Sequence, residues 1–253
     1  RQPASSAWNG SVMDNHQPLI QLEGIRFAYT PGLPVLDNLD FTFHRGERIG
    51  LLAPNGSGKT TLFHVIMGLL TPGAGRISLF GKPMERERDF AEMRLKIGLL
   101  FQDADDQLFC PTVIEDVAFG PLNMGKSREE AVRISKQTLE FLGLADFENR
   151  ITFKLSGGEK KLVSLATVLS MSPEVLLLDE PLTGLDARTR TVITKVLSRI
   201  GLSYIIISHD IEFLQETTSA IYSLQNGRLH VDDQVYVHRH DHAHVLGNVP
   251  HKH

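Results

Sequence analysis

A glycine-rich run, Ala53-Pro54-Asn55-Gly56-Ser57-Gly58-Lys59-Thr60, stands between an apolar stretch at residues 48–52 and a helical pattern at residues 58–69. Small residues let successive backbone N–H groups turn inward on one anion. A helix opening at the end of the run adds the partial positive charge of its N-terminus. Lys59 brings a full charge suited to β- and γ-phosphates, and the Thr60 hydroxyl, followed by Thr61, suits Mg²⁺. Such loops usually open with glycine. Ala53 takes that place here, and alanine fits where the backbone angles are ordinary. The run is expected to cradle the phosphates of a nucleotide.

A second group lies downstream, where the apolar residues 175–178 lead straight into Asp179-Glu180. Asp179 is placed to help hold Mg²⁺. Glu180, one residue on, can polarise an attacking water. An acid pair after a strand is otherwise a solvated turn. The phosphate loop upstream favours the hydrolytic reading.

These groups need elements to hold them. Residues 19–29 read as a strand whose alternation changes phase at Gly24, which predicts a bulge. Phe41 and Phe43 alternate with Thr42 and His44 in a second half-buried strand. Residues 48–52 form a third strand. The helix at 58–69 is expected to stop at Thr71-Pro72-Gly73. Residues 97–101, 175–179 and 204–208 are short apolar runs of the kind buried on both faces of a parallel sheet. Between them the pattern is mostly helical, including 128–142. There is no internal repeat. The reading is an α/β fold with a mainly parallel sheet and an inserted helical segment.

Composition bounds the function. Hydrophobic residues make up 42%, enough for a sizeable core. A net charge of −4, with both signs mixed along the chain, argues against nucleic acid as a partner. The lone Cys110 cannot form a disulfide within the chain, which fits a reducing compartment. No apolar run is long enough to cross a bilayer, so transport would need membrane-spanning partners.

The class narrows at Leu155-Ser156-Gly157-Gly158-Glu159, which resembles the signature motif of ABC ATPases. The resemblance runs over residues 18–229. It implies a P-loop core with an N-terminal antiparallel β subdomain. It implies that Ser156, Gly157, Gly158 and Glu159 face the γ-phosphate held by a second copy. Gln102 resembles the Q-loop glutamine that touches Mg²⁺ and the membrane partner. Gly184-Leu185-Asp186 resembles the D-loop, which crosses the dimer interface. His209 resembles the switch histidine that reaches the γ-phosphate. Tyr29 resembles the aromatic that stacks on adenine, with Val35 nearby. Read alone, Tyr29 is more readily a core aromatic and His209 a strand-end histidine; their order and spacing along the chain favour the site reading. Two positions depart from the family pattern: Glu159 stands where glutamine is most common, and Leu162 where arginine is frequent.

A narrower resemblance covers Phe101-Gln102-Asp103-Ala104-Asp105-Asp106-Gln107-Leu108-Phe109 and Glu115-Asp116-Val117-Ala118-Phe119-Gly120-Pro121. Both stretches are similar to the ATPases of energy-coupling-factor importers, which take up cobalt, nickel and vitamins. It implies transmembrane coupling and substrate-binding partners, a homodimer or paralogous heterodimer of ATPases, and a place on the cytoplasmic face of the membrane. Leu108 and Phe109 would then sit near the partner groove. A conventional ABC transporter ATPase and a soluble ABC protein acting on DNA or ribosomes are the alternatives. The expected organisation is a leader or cloning remnant at 1–17, with Met13 a candidate natural start. An ATPase domain follows at 18–231, with a helical insertion at about 103–160, and then a histidine-rich tail at 232–253. Alternating histidines in that tail, His238, His240, His242 and His244, then His251 and His253, are good ligands for Ni²⁺ and Co²⁺. A plain polar tail is the other reading.

Overall fold

The computed structural model describes residues 17–231, apart from Ala53 and Asn55. The expectations for residues 1–16, for the histidine-rich tail and for those two members of the phosphate loop lie outside the described residues.

Strands β1 (Ile20–Phe27) and β2 (Leu36–Phe43) pair antiparallel. Their register shifts between Leu22 and Ile25, at the predicted bulge around Gly24. Strand β3 (Arg48–Leu52) leads to helix α1 (Lys59–Ile66). Strands β4 (Ala74–Leu79) and β5 (Lys82–Pro83) then join the first two in a four-stranded antiparallel sheet, order β2-β1-β4-β5. Helix α2 (Glu87–Arg94) and strand β6 (Ile97–Leu100) follow.

The helical segment comprises α3 (Val113–Asn123), α4 (Arg128–Phe141) and α5 (Gly157–Leu169). The chain then alternates through β7 (Val175–Asp179), α6 (Ala187–Arg199), β8 (Ser203–Ile207) and α7 (Ile211–Thr217). It closes with β9 (Ala220–Gln225) and β10 (Arg228–Val231). The second sheet has six strands in the order β10-β9-β3-β8-β7-β6. Its pairs are parallel except β9 with β10. The α/β architecture is as expected.

The apolar runs are explained by what each face meets. Val175, Leu177, Ile205 and Ile207 join a core with α1 and the antiparallel sheet. Their neighbours Leu176, Leu178, Tyr204 and Ile206 join a second core with α3, α5 and α6. Strand side chains alternate between faces, so a strand covered on both sides must be apolar throughout. Each fully buried aliphatic side chain contributes about 1.5–3 kcal/mol.

Helix α1 ends earlier than expected. Gly68 takes a left-handed conformation (φ 66°), and Leu69 N–H and Gly68 N–H donate to the His64 and Val65 carbonyls. This glycine-based cap satisfies the last carbonyls before Thr71-Pro72-Gly73 is reached.

Three helices of the middle segment open on the same chemistry. Thr112, Ser127 and Ser156 are N-caps, each with glutamate three residues on. Pro121 lies inside α3 and cannot donate to the Val117 carbonyl. The hydroxyl of Ser170, the C-cap of α5, donates to that carbonyl instead, at 2.9 Å. The expected limit of the insertion at about residue 160 falls inside α5, which is one continuous helix.

Candidate functional site

The phosphate-loop residues meet the acid pair because β3 and β7 both flank β8, and their C-terminal ends point the same way. Ligands of parallel α/β sheets gather at that end of the strands. Gly58 caps α1 with φ 96°, and a Cβ there would lie 2.6 Å from Val35 Cγ1. Glycine is therefore required, and Val35 packs against the loop. Lys59 is buried, its Nζ 3.4 Å from the Pro54 carbonyl and 3.8 Å from Glu180 Oε1. Thr60 Oγ1 donates to Asp179 Oδ2 at 2.6 Å. Gly56 is exposed, and Ser57 Oγ is a buried oxygen with no hydrogen bond among the described residues.

Both carboxylates of the pair are buried. Burial pushes the Asp179 carboxyl above its ordinary range; the Thr60 hydrogen bond opposes the shift and the charge of Glu180 adds to it. Asp179 Oδ1 and Glu180 Oε1 have no hydrogen bond among the described residues. Buried acceptors of this kind are rare and call for an explanation. Glu180 itself has φ 44°, a conformation few side-chain-bearing residues adopt, at a cost of about 1–3 kcal/mol. Its N–H donates to the Ile207 carbonyl at the end of β8. The β7–β8 register places His209, two residues past β8, so that Nδ1 lies 2.9 Å from Glu180 Oε2. Thr183 Oγ1 donates to the same oxygen at 3.2 Å.

An open cleft of about 600 Å³ lies at this end of the sheet. Thr60, Gln102 and Asp179, the three expected Mg²⁺ ligands, line it together with His64, Asp106 and Thr183. Tyr29 is exposed beside the loop, its hydroxyl 3.0 Å from Thr61 Oγ1 and its ring edge-on to Phe27. It is not a core aromatic.

A family model described as ABC transporter matches residues 36–183. The chain belongs to the ABC transporter family. It is 49% identical over 238 residues to a protein of Nitratidesulfovibrio vulgaris whose name goes no further than ABC transporter ATP-binding protein, covering 93% of this chain and 86% of that one. It is 41% identical over 215 residues to the energy-coupling factor transporter ATP-binding protein EcfA of Methanothermobacter thermautotrophicus, covering 83% and 69%. The solved structure of CbiO1 from Clostridium perfringens, part of the ABC transporter complex CbiONQ, superposes with a TM-score of 0.75 at 33% identity, covering 85% and 87%.

In this ABC protein the signature-like stretch opens α5. Ser156 is the N-cap, and its N–H and hydroxyl both donate to Glu159 Oε2 at 2.8 Å. The Ser156 backbone N–H holds the Glu159 carboxyl below its ordinary range, helped by the Ser156 hydroxyl and by Arg150, 3.0 Å away. A Cβ on Gly158 would lie 2.8 Å from Thr189 Oγ1 and 3.2 Å from Asp186 Oδ2, so the signature and D-loop stretches pack together. Asp186 is the N-cap of α6, accepting from Thr189 N–H. Gly157, Lys160, Lys161 and Gly184 line a second cavity of about 210 Å³. It shares Gln102, Asp103 and Thr183 with the first and includes none of the described phosphate-loop residues.

Sequence reasoning missed two buried charged groups, one beside the cleft and one in the helical segment. Lys161 is buried and donates to the carbonyls of Phe101 (2.9 Å) and Gln102 (2.7 Å); burial pushes its ammonium down to about 8. Asp116 is buried and accepts from Phe109 N–H, Cys110 N–H and Thr152 Oγ1. Leu108 belongs to the core, whereas Phe109 is exposed and packs edge-on to Phe119. Only the second of these two could face a partner.

Proposed function

We propose that the chain binds ATP with Mg²⁺, hydrolyses it to ADP and phosphate, and drives an importer of energy-coupling-factor type from the cytoplasmic face of the membrane. The observation that carries the reading is that Lys59 and His209 meet Glu180, and Thr60 meets Asp179, at the ends of adjacent strands, each pair within hydrogen-bond or ion-pair range.

The residues divide the work. The loop from Ala53 to Thr61 and the start of α1 hold the phosphates, and Lys59 turns from Glu180 to the β- and γ-phosphates when nucleotide enters. Tyr29 and Val35 offer the adenine an aromatic face and an apolar edge. Asp179 Oδ1, buried without a hydrogen bond, fits a cation, and Thr60 and Gln102 complete the set that would hold Mg²⁺. Held by these residues, the ion would supply positive charge to neutralise the phosphates. Glu180 orients a water and accepts its proton as the water oxygen bonds to the γ-phosphorus and the bond to the β-phosphate oxygen breaks. His209 and Thr183 hold Glu180 Oε2, which leaves Oε1 for the water.

The helix N-terminus at Ser156, Gly157 and Gly158 suits an anion, and the cavity that Gly157 lines includes none of the described phosphate-loop residues. A second copy, identical or paralogous, would place its nucleotide there, with Glu159 at the rim and Asp186 at the interface. ATP binding then closes the dimer and hydrolysis reopens it. Exposed Phe109, Phe119, Leu122 and Met124 support docking of transmembrane coupling and substrate-binding subunits. Among the described residues no helix is long and apolar enough to cross a membrane. The cargo reading, cobalt or nickel over a vitamin, rests on the tail histidines.

Phosphate release from Mg-ATP by the purified chain tests the enzymatic core of this reading. Turnover by the native chain, lost in Glu180→Gln, supports it. No turnover at high protein concentration, or an undiminished rate in Glu180→Gln, refutes it.

A further inference from the structure

Lys161 lies on α5, five residues beyond the N-cap Ser156, about 7.5 Å along the axis at the usual helical rise. Its side chain is 3% exposed. A buried ammonium is costly unless it is fully hydrogen-bonded. Here two of its donors go to consecutive backbone carbonyls, Phe101 and Gln102, just past the end of β6. The nearby carboxylates, Asp179, Asp103 and Glu180, favour its charged form.

The same short segment is tied to α5 twice more. Gln107 accepts from Phe101 N–H and donates from Nε2 to the Ser164 carbonyl and Thr167 Oγ1. Lys160 donates to Asp105 Oδ1 at 2.6 Å. Residues 101–107 therefore ride on the helix whose first turn is the signature-like stretch. Among these ties, the Lys161 bonds alone act on Gln102 itself, the residue that lines the cleft with Thr60 and Asp179.

We propose that Lys161 is a positioning residue: by holding the Phe101 and Gln102 carbonyls it fixes Gln102 against the cleft and ties that placement to the signature end of α5. The inference rests on the ATP-hydrolysing reading of the site. Lys161 touches no nucleotide in this scheme. It acts through Gln102, as residues behind a metal ligand do, and loss of such support typically lowers activity about 10–100-fold.

Lys161→Met and Lys161→Gln test this. The two replacements are equally long, so the difference between them reports hydrogen-bond donors and not volume. ATP affinity and steady-state hydrolysis are measured on the full chain with Mg²⁺, below the melting transition of each variant. The expected result is ATP affinity within about threefold of the native chain for both, a kcat about 10–100-fold lower for Lys161→Met, and recovery of most of that loss in Lys161→Gln. Native kcat in Lys161→Met, equal kcat losses in the two variants, or a loss of ATP affinity matching the loss of kcat would each overturn the inference. Should Lys161→Met fail to fold, Lys161→Gln decides alone. A rate near native then supports the role, and a loss of about tenfold or more overturns it. A native chain that hydrolyses no ATP at all would instead remove the reading beneath it.

Discussion

His209 Nδ1 lies 2.9 Å from Glu180 Oε2, and the two residues come from the ends of adjacent parallel strands. The contact exists because Asp179 pairs with Ile207, which sets both residues just past the sheet edge. Glu180 is buried and its backbone is in a left-handed conformation, whereas His209 is exposed. The histidine thus meets the buried carboxylate from its solvent-facing side.

His209→Ala is expected to bind ATP with near-native affinity and to hydrolyse it about 10–100-fold more slowly, because Glu180 Oε2 keeps only Thr183 as a partner. Nucleotide titration and single-turnover hydrolysis separate the two quantities. A loss confined to affinity would contradict the assignment.

Glu159→Gln should act with opposite signs on two measurements. The carboxylate now stabilises the α5 N-terminus and pairs with Arg150, so its loss lowers stability by about 0.3–1 kcal/mol. On the proposed shared site the same charge would repel a phosphate brought by a second copy, so ATP-driven association should strengthen about 2–5-fold, the equivalent of that energy. Thermal melts and concentration-dependent sedimentation read the two effects. Weaker association would show that Glu159 does not face the nucleotide.

Leu108 and Phe109, neighbours in sequence, should separate in experiment. Leu108→Ala creates a cavity in the core of α3 and α5 and is expected to cost about 2–5 kcal/mol. Phe109→Ser removes an exposed ring and is expected to cost under about 1.5 kcal/mol, the worth of its contact with Phe119. Coupling of ATP hydrolysis to transport should nonetheless fail in Phe109→Ser. Full coupling with this substitution would exclude the face as a docking surface.

The tail prediction concerns cargo. Calorimetry with Ni²⁺ and Co²⁺ on the full chain and on a chain cut after Gln234 should show binding only in the full chain. Equal or absent binding in both would remove the tail as support for a metal cargo and leave the ATPase reading intact.

What the sequence revealed follows the physics of each element. Strands β3 and β7 were legible residue for residue, because burial on both faces forces an unbroken apolar run. Strands β4 and β10 were not, since exposed residues such as Arg76, Arg228 and His230 dilute their pattern. Helix α6 was missed although Asp186 and Thr189 spell its cap. At the site, Asp179, Glu180 and His209 stood out because each follows an apolar strand. Lys161 did not: nothing in the sequence separates it from its neighbour Lys160, and only the fold turns it inward. Asp116 was hidden in the same way, its three donors coming from residues 109, 110 and 152.

The central claim is that ATP joins two copies across a shared site, and the most direct measurement is the oligomeric state of Glu180→Gln. The amide keeps the shape of the glutamate and loses its basicity, so bound ATP should persist. Sedimentation of this variant at high protein concentration with ATP and Mg²⁺ should give a dimer that reverts to monomer when ADP replaces ATP, and Ser156→Arg in the same background should abolish the dimer. A monomer with ATP bound, or a dimer indifferent to both nucleotide and Ser156→Arg, would contradict it.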